Sequence, residues 1–148
     1  VEYAIARDVP VLLHAWWKAT GNLANESAPE DVAELARLYP QAKLIMAHLG
    51  GDWQRGVAAL SDTTACVDTS GSIVERGMIE RAVKRLGADR VIFGSDSAGG
   101  ALAVAYAKVT GAQISDEDKQ KVLGDNFVRL LGRTSGVPRS GGHTACQP

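Results

Sequence analysis

The chain has 148 residues, enough for one domain, of which 45% are hydrophobic and 22% charged. Its 16 basic and 17 acidic residues give a formal net charge of −1, which offers nucleic acid or an anionic membrane no electrostatic footing. No apolar run approaches the roughly 18 residues that span a bilayer, and no basic segment leading into an apolar one marks a signal peptide.

In chain order, residues 3–7 read as the end of a helix. Residues 9–14 follow as a strand, with Val9, Val11, Leu12 and Leu13 apolar and Pro10 near its start, where no ladder donor is needed. Ser27 is placed to cap a helix with Pro29, Glu30 and Asp31 in its first turn. Val32, Leu35, Ala36 and Tyr39 share its inner face, and Pro40 stops it. A second strand spans residues 43–48. Asp52 then caps a shorter helix with Trp53, Val57 and Leu60 facing inward. A third strand covers 65–68. Met78, Ile79, Ala82, Val83 and Leu86 form a helical stripe, with Gly87 as an αL terminator. A fourth strand covers 90–94. Leu102, Tyr106 and Val109 indicate another helix. Ser115, with Asp118 three residues on, opens a closing helix carrying Val122, Leu123, Phe127, Leu130 and Leu131.

The strand runs are continuously apolar rather than alternating, as parallel strands covered on both faces require. Strand–helix units of roughly 20–35 residues mean an α/β fold with a parallel sheet. Four units fall short of a closed eight-stranded barrel, which takes about 250 residues, so the sheet is open or forms half a barrel. From residue 133 the chain turns to Gly, Ser, Thr and Pro without an apolar period. Residues 1–132 are therefore read as the domain and 133–148 as a flexible tail.

The polar residues fall at the strand ends. His14 closes the first strand, His48 the second and Asp68 the third, and Asp96 follows the fourth. Parallel α/β proteins place their sites at the C-terminal ends of strands, and imidazoles with a carboxylate suit a zinc-like divalent ion. Each residue alone has a plainer reading. Either histidine could be a hydrogen-bonded structural group, Asp96 a cap, and Asp68 a capping or loop carboxylate. Gly50-Gly51 fits a close backbone approach or a positive φ equally well. Trp16 and Trp17 could wall a substrate pocket or pack a long loop. His143 lies in the tail and is read as inert. Cys66 and Cys146 are read as free thiols in a reducing, cytoplasmic setting.

Taken together, Pro10-Val11-Leu12-Leu13-His14, Met46-Ala47-His48-Leu49-Gly50-Gly51, Val67-Asp68-Thr69-Ser70-Gly71 and Ile92-Phe93-Gly94-Ser95-Asp96 resemble the second half of the amidohydrolase-related family. These are the relatives of aminocarboxymuconate-semialdehyde decarboxylase within the amidohydrolase superfamily. The run from Ile114 to Gly132 is similar to that family's closing helix. The resemblance implies strands 5–8 of a metal-dependent (β/α)8 TIM barrel. It implies that His14 and Asp96 bind a divalent metal ion of the zinc type. It makes His48 and Asp96 catalytic, with His48 polarising or protonating the substrate and Asp96 taking the proton of the activated water. The implied chemistry is hydrolysis of small esters, lactones or amides, or decarboxylation of aromatic or unsaturated acids.

Two features depart from that family. Its first-strand His-x-His pair does not occur here, and two protein ligands fall short of the three that catalytic zinc usually has. The chain starts at Val1, as a processed chain or a fragment would, and is expected to bind metal weakly by itself. Ser97-Ala98-Gly99-Gly100 replaces the proline that often follows Gly-Ser-Asp in the family. The alternative is a non-catalytic half-barrel that binds or assembles. Its open edges favour a second copy or a missing N-terminal half as partner, besides a small-molecule substrate.

Overall fold

The computed structural model describes residues 1–97 and 99–132. The expected tail and Cys146 lie outside the described residues. The helix expected over residues 3–7 is α1 (Glu2–Ala6). Four parallel strands, β1 (Val11–Leu13), β2 (Leu44–Met46), β3 (Cys66–Asp68) and β4 (Val91–Ile92), form one sheet in sequential order. Each is shorter than its apolar run, because the flanking residues leave the ladder to build turns. The register pairs Leu12 with Ile45, Ile45 with Cys66, and Asp68 with Ile92.

Pleating sends alternate side chains to opposite faces. Leu44, Met46, Val67 and Val91 pack into the main core with residues of α2 (Pro29–Leu38), α3 (Trp53–Ala59), α4 (Met78–Leu86) and α5 (Leu102–Thr110). Leu12, Ile45, Cys66 and Ile92 belong to the other face. There Ile45, Cys66 and Ile92 form a small cluster with Leu130, while Leu12 is 61% exposed. A sequential parallel order with its main helical core on one face is barrel-like. A doubly wound sheet would reverse its strand order and cover both faces with helices.

The helices form for the expected reasons, with three corrections. The cap of α2 is Ala28, not Ser27: the Asp31 carboxylate reaches back to accept the Ala28 N–H at 2.7 Å. The Ser27 carbonyl instead accepts the Trp16 N–H at 3.1 Å, which ties Ser27 into the preceding loop. Gly87 ends α4 with φ 87° but ψ 145°, outside the αL region. The inner face of α5 is Ala105 and Val109, whereas Leu102 and Tyr106 are exposed. Small Ala105 lets the helix lie close, so the larger residues turn outward.

Asp52 and Ser115 cap as expected, accepting the N–H groups of Arg55 and Asp118, each at 3.1 Å. The closing helix is broken into α6 (Asp116–Gln120), a π turn (Lys121–Asp125) and α7 (Asn126–Leu130). The π turn coincides with the point where the Val122 carbonyl accepts the Phe93 N–H at 2.8 Å. Buried Asn126 donates through Nδ2 to the carbonyls of Ala88 and Val91 at 2.7 and 2.8 Å. That anchors α7 at the N-terminal end of β4 and places Leu130 against the sheet's second face. Half-buried Arg90 ties the same end together, donating to the Leu60 and Ala65 carbonyls. Among the described residues, no helix is long and apolar enough to cross a membrane.

Candidate active site

His14, His48 and Asp96 line one cleft of about 620 Å³. It runs along the second face of the sheet to the C-terminal strand ends, so the expected convergence is observed. Asp68, Ser70, Gly94 and Ser95 line it too, beside an apolar wall that includes Leu12, Ile45, Ile92, Phe93 and Phe127. The His14 and His48 rings meet edge to face, their centroids 5.1 Å apart.

His48 does not end β2. It sits in a 3-10 turn (Ala47–Gly50) with φ 60° and ψ 24°, and Leu49 follows at φ 51°. Left-handed backbone at non-glycine residues costs on the order of 1 kcal/mol each and persists only where surrounding bonds impose it. Here the Asp68 Oδ1 carboxylate oxygen accepts the His48 N–H at 2.8 Å. The same oxygen accepts the Ser70 N–H at 2.9 Å and lies within hydrogen-bond reach of Ser70 Oγ. Ser70 Oγ stands 2.8 Å from His48 Nδ1. Asp68 therefore organises the two central strand ends as a loop carboxylate, and it lines the cleft as well. Ser70 is the residue that sequence reasoning missed. Its position two after Asp68 at a strand end was the available signal.

Glycine makes the packing around this group possible. A Cβ on Gly71 would stand 3.2 Å from His48 Nδ1, and one on Gly94 would stand 2.9 Å from Ser70 Cβ and 3.0 Å from Asp68 Oδ2. Lys108 of α5 reaches under the loop and donates through Nζ to the carbonyls of Gly71 and Ile73 at 3.0 and 3.3 Å. Burial pulls the Lys108 pKa below its ordinary value, and the charge of Asp68 partly offsets that.

Both readings of Gly50-Gly51 hold. Gly51 has φ 79°, and a Cβ there would lie 2.8 Å from the Trp17 backbone nitrogen and 3.0 Å from the Trp16 ring. Both tryptophans make packing contacts. Trp17 lies under the Arg55 guanidinium at 3.5 Å, while Trp16 stands edge to face with His48 at 5.7 Å. Asp96 has φ 50°, and its main-chain carbonyl accepts the N–H groups of Gly99 and Gly100 at 2.9 and 2.8 Å. The turn is thus closed by backbone, and the carboxylate lines the cleft. Among the described residues, no group of three or more His, Cys, Asp and Glu side chains gathers to hold a metal ion. His14 and Asp96 supply imidazole and carboxylate donors suited to zinc or manganese, and a complete shell needs further ligands. Cys66 is a buried free thiol whose pKa burial pushes up.

A parallel α/β sheet with imidazoles and a carboxylate in a cleft at its strand ends defines a class of site shared by barrel enzymes. The chain belongs to the amidohydrolase family, whose model matches residues 1–133. No curated protein matches it. Among solved structures, it is similar to a dihydroxybenzoic acid decarboxylase from Polaromonas with bound manganese and 2-nitroresorcinol, at 21% identity and TM-score 0.68, covering 88% of this chain and 52% of that one. It is also similar to a TIM-barrel protein from Bordetella bronchiseptica, at 17% identity and TM-score 0.72, covering 88% and 48%. A zinc-bound amidohydrolase from Burkholderia multivorans matches at 14% identity and TM-score 0.64, covering 88% and 55%. The chain spans about half the length of these structures, and it has the parallel α/β fold of the corresponding part of each.

Proposed function

We propose that this chain is strands 5–8 of a (β/α)8 enzyme that uses a divalent metal ion to decarboxylate an aromatic or unsaturated carboxylic acid. The observation that carries the proposal is the two-part cleft: His14, His48 and Asp96 together with a wall that includes Leu12, Ile45, Ile92, Phe93 and Phe127. Such a cleft suits a flat apolar body with a charged group at one end. The manganese-bound decarboxylase with its nitroresorcinol inhibitor supports this choice over hydrolysis of an ester, lactone or amide. A cytoplasmic setting agrees with the free Cys66 thiol.

In this reading His14 and Asp96 would hold the ion, which when bound would supply Lewis-acid chemistry. His48 moves a proton at its ring nitrogen. The apolar wall seats the ring and excludes water, which strengthens the polar interactions at the mouth. When the carbon–carboxylate bond breaks, its electron pair stays on the substrate carbon, and that carbon takes the proton. A non-catalytic half-barrel is the second reading, favoured by the lack of a three-ligand group among the described residues.

The test is carbon dioxide release from hydroxybenzoates by the protein completed with the remaining barrel strands and loaded with zinc or manganese. We expect turnover that falls at least about 100-fold in His48→Gln, as loss of a positioned acid–base group costs 10²–10⁴-fold. Cleavage of esters or lactones without decarboxylation would replace the reaction assigned here. Metal binding without turnover of either class would favour the binding module.

A further inference from the structure

We propose that Ser70 is a positioning residue that holds neutral His48 as its Nδ1–H tautomer, so that Nε2 is the nitrogen left bare for the cleft. The inference rests on the reading of His48 above for its use in catalysis, but the tautomer is a property of this chain's own residues.

Donors and acceptors around His48 fix where the hydrogens lie. Asp68 Oδ1 already accepts two backbone N–H groups, from His48 at 2.8 Å and Ser70 at 2.9 Å. A proton on Oδ1 would take a lone-pair site that one of these N–H groups occupies, so Oδ1 stays an acceptor and Ser70 Oγ is the donor between them. The hydroxyl proton therefore lies on Ser70 Oγ, directed at Asp68. Having spent its only proton there, Oγ can only accept from His48 Nδ1, 2.8 Å away, and Nδ1 must carry a hydrogen. Gly71 and Gly94 close this network. A side chain at either would press on His48, Ser70 or Asp68. The ring's other nitrogen, Nε2, is left for the cleft that His48 lines.

The consequence for the reaction is one of placement: with Nδ1–H held on Ser70, any proton that His48 exchanges with a substrate passes through Nε2.

The test is long-range ¹H–¹⁵N correlation on the ¹⁵N-histidine-labelled chain at about pH 9, where free imidazole is neutral. His48→Gln assigns its signals among the 3 histidines. Wild type should show His48 with a protonated Nδ1 and a bare Nε2. Ser70→Ala should release the ring to the Nε2–H tautomer that free histidine prefers, and Ser70→Thr, which restores the hydroxyl, should recover Nδ1–H. Ser70→Cys keeps the volume with a poor acceptor and should behave like Ser70→Ala, which keeps the test alive if the alanine variant misfolds. An Nε2–H tautomer in wild type would overturn the proposal. So would an unchanged Nδ1–H signal in a folded Ser70→Ala or Ser70→Cys chain. In the metal-loaded enzyme Ser70→Ala should lower kcat about 10–100-fold, the range for losing a partner that orients a functional histidine, with KM little changed. Metal binding by His14 and Asp96 should be untouched, so failure of the metal reading and failure of the tautomer reading appear in different experiments.

Discussion

The inner strands of the sheet end in a bonded network, and the outer strands end in loops. At β2 and β3, Asp68 holds the His48 and Ser70 backbones, Ser70 holds the His48 ring, and Lys108 pins the loop beneath. At β1 and β4, His14 and Asp96 reach the same cleft, but the Asp96 turn is held by its backbone carbonyl. The difference teaches which part of the site this chain builds alone. The proposed proton-handling group, His48, is held by two adjacent strands with both neighbours in place. The proposed metal ligands stand on the sheet's two edges, where further strands and ligands would join.

The largest effect should come from breaking the inner network. Asp68→Ala leaves the His48 and Ser70 N–H groups without their acceptor, and each buried unsatisfied donor costs about 1–3 kcal/mol. We expect a loss of about 2–5 kcal/mol in chemical denaturation, with His48 freed from its left-handed turn. On the outer side, Asp96→Gly should do the reverse. It removes a side chain from a φ of 50° and should raise stability by up to about 1 kcal/mol while weakening metal binding. A large destabilisation by Asp96→Gly would show that the outer end is as tightly built as the inner.

A third outcome concerns the edges. Leu12 is exposed on the cleft face of edge strand β1, so purified chain should associate, and Leu12→Lys should shift light scattering toward monomer. Ile45 and Ile92, on the same face, are covered with Leu130 in a small cluster. The drive to associate is thus concentrated at β1, and a wild-type chain that stays monomeric at high concentration would contradict it.

The smallest effect is a pH slope. Burial raises the Cys66 thiol pKa in the folded chain. Stability from this group is fully present below the ordinary thiol value of about 8.5 and is lost as pH rises through the folded value. Denaturation midpoints should fall above about pH 8.5, and Cys66→Ala should flatten that fall. A slope unchanged in Cys66→Ala would assign it to another group.

Much of this was legible in the sequence. The apolar runs at Leu44-Ile45-Met46 and Val91-Ile92 marked the strands, and polar residues just past them marked the site, because buried strands tolerate polar groups only at their ends. What escaped depended on contacts between segments. Leu102 and Tyr106 look like a core face until small Ala105 sets the phase of α5. Ser27 looks like a cap until Asp31 reaches back to Ala28. Ser70 reads as a loop residue because its partners lie 2 and 22 positions away and meet only after β2 and β3 pair.

In the proposed enzyme the metal site is shared between this chain and the remaining barrel strands, and a calorimetric titration of the purified chain with zinc tests that most directly. The account predicts weak binding, far below that of a site with the three or more protein ligands catalytic zinc usually has. That binding should be lost in His14→Ala and in Asp96→Ala and kept in Ser70→Ala. Tight one-to-one binding by this chain alone, abolished by the same two substitutions, would show a complete site and contradict the claim. Binding indifferent to both would remove His14 and Asp96 from the metal.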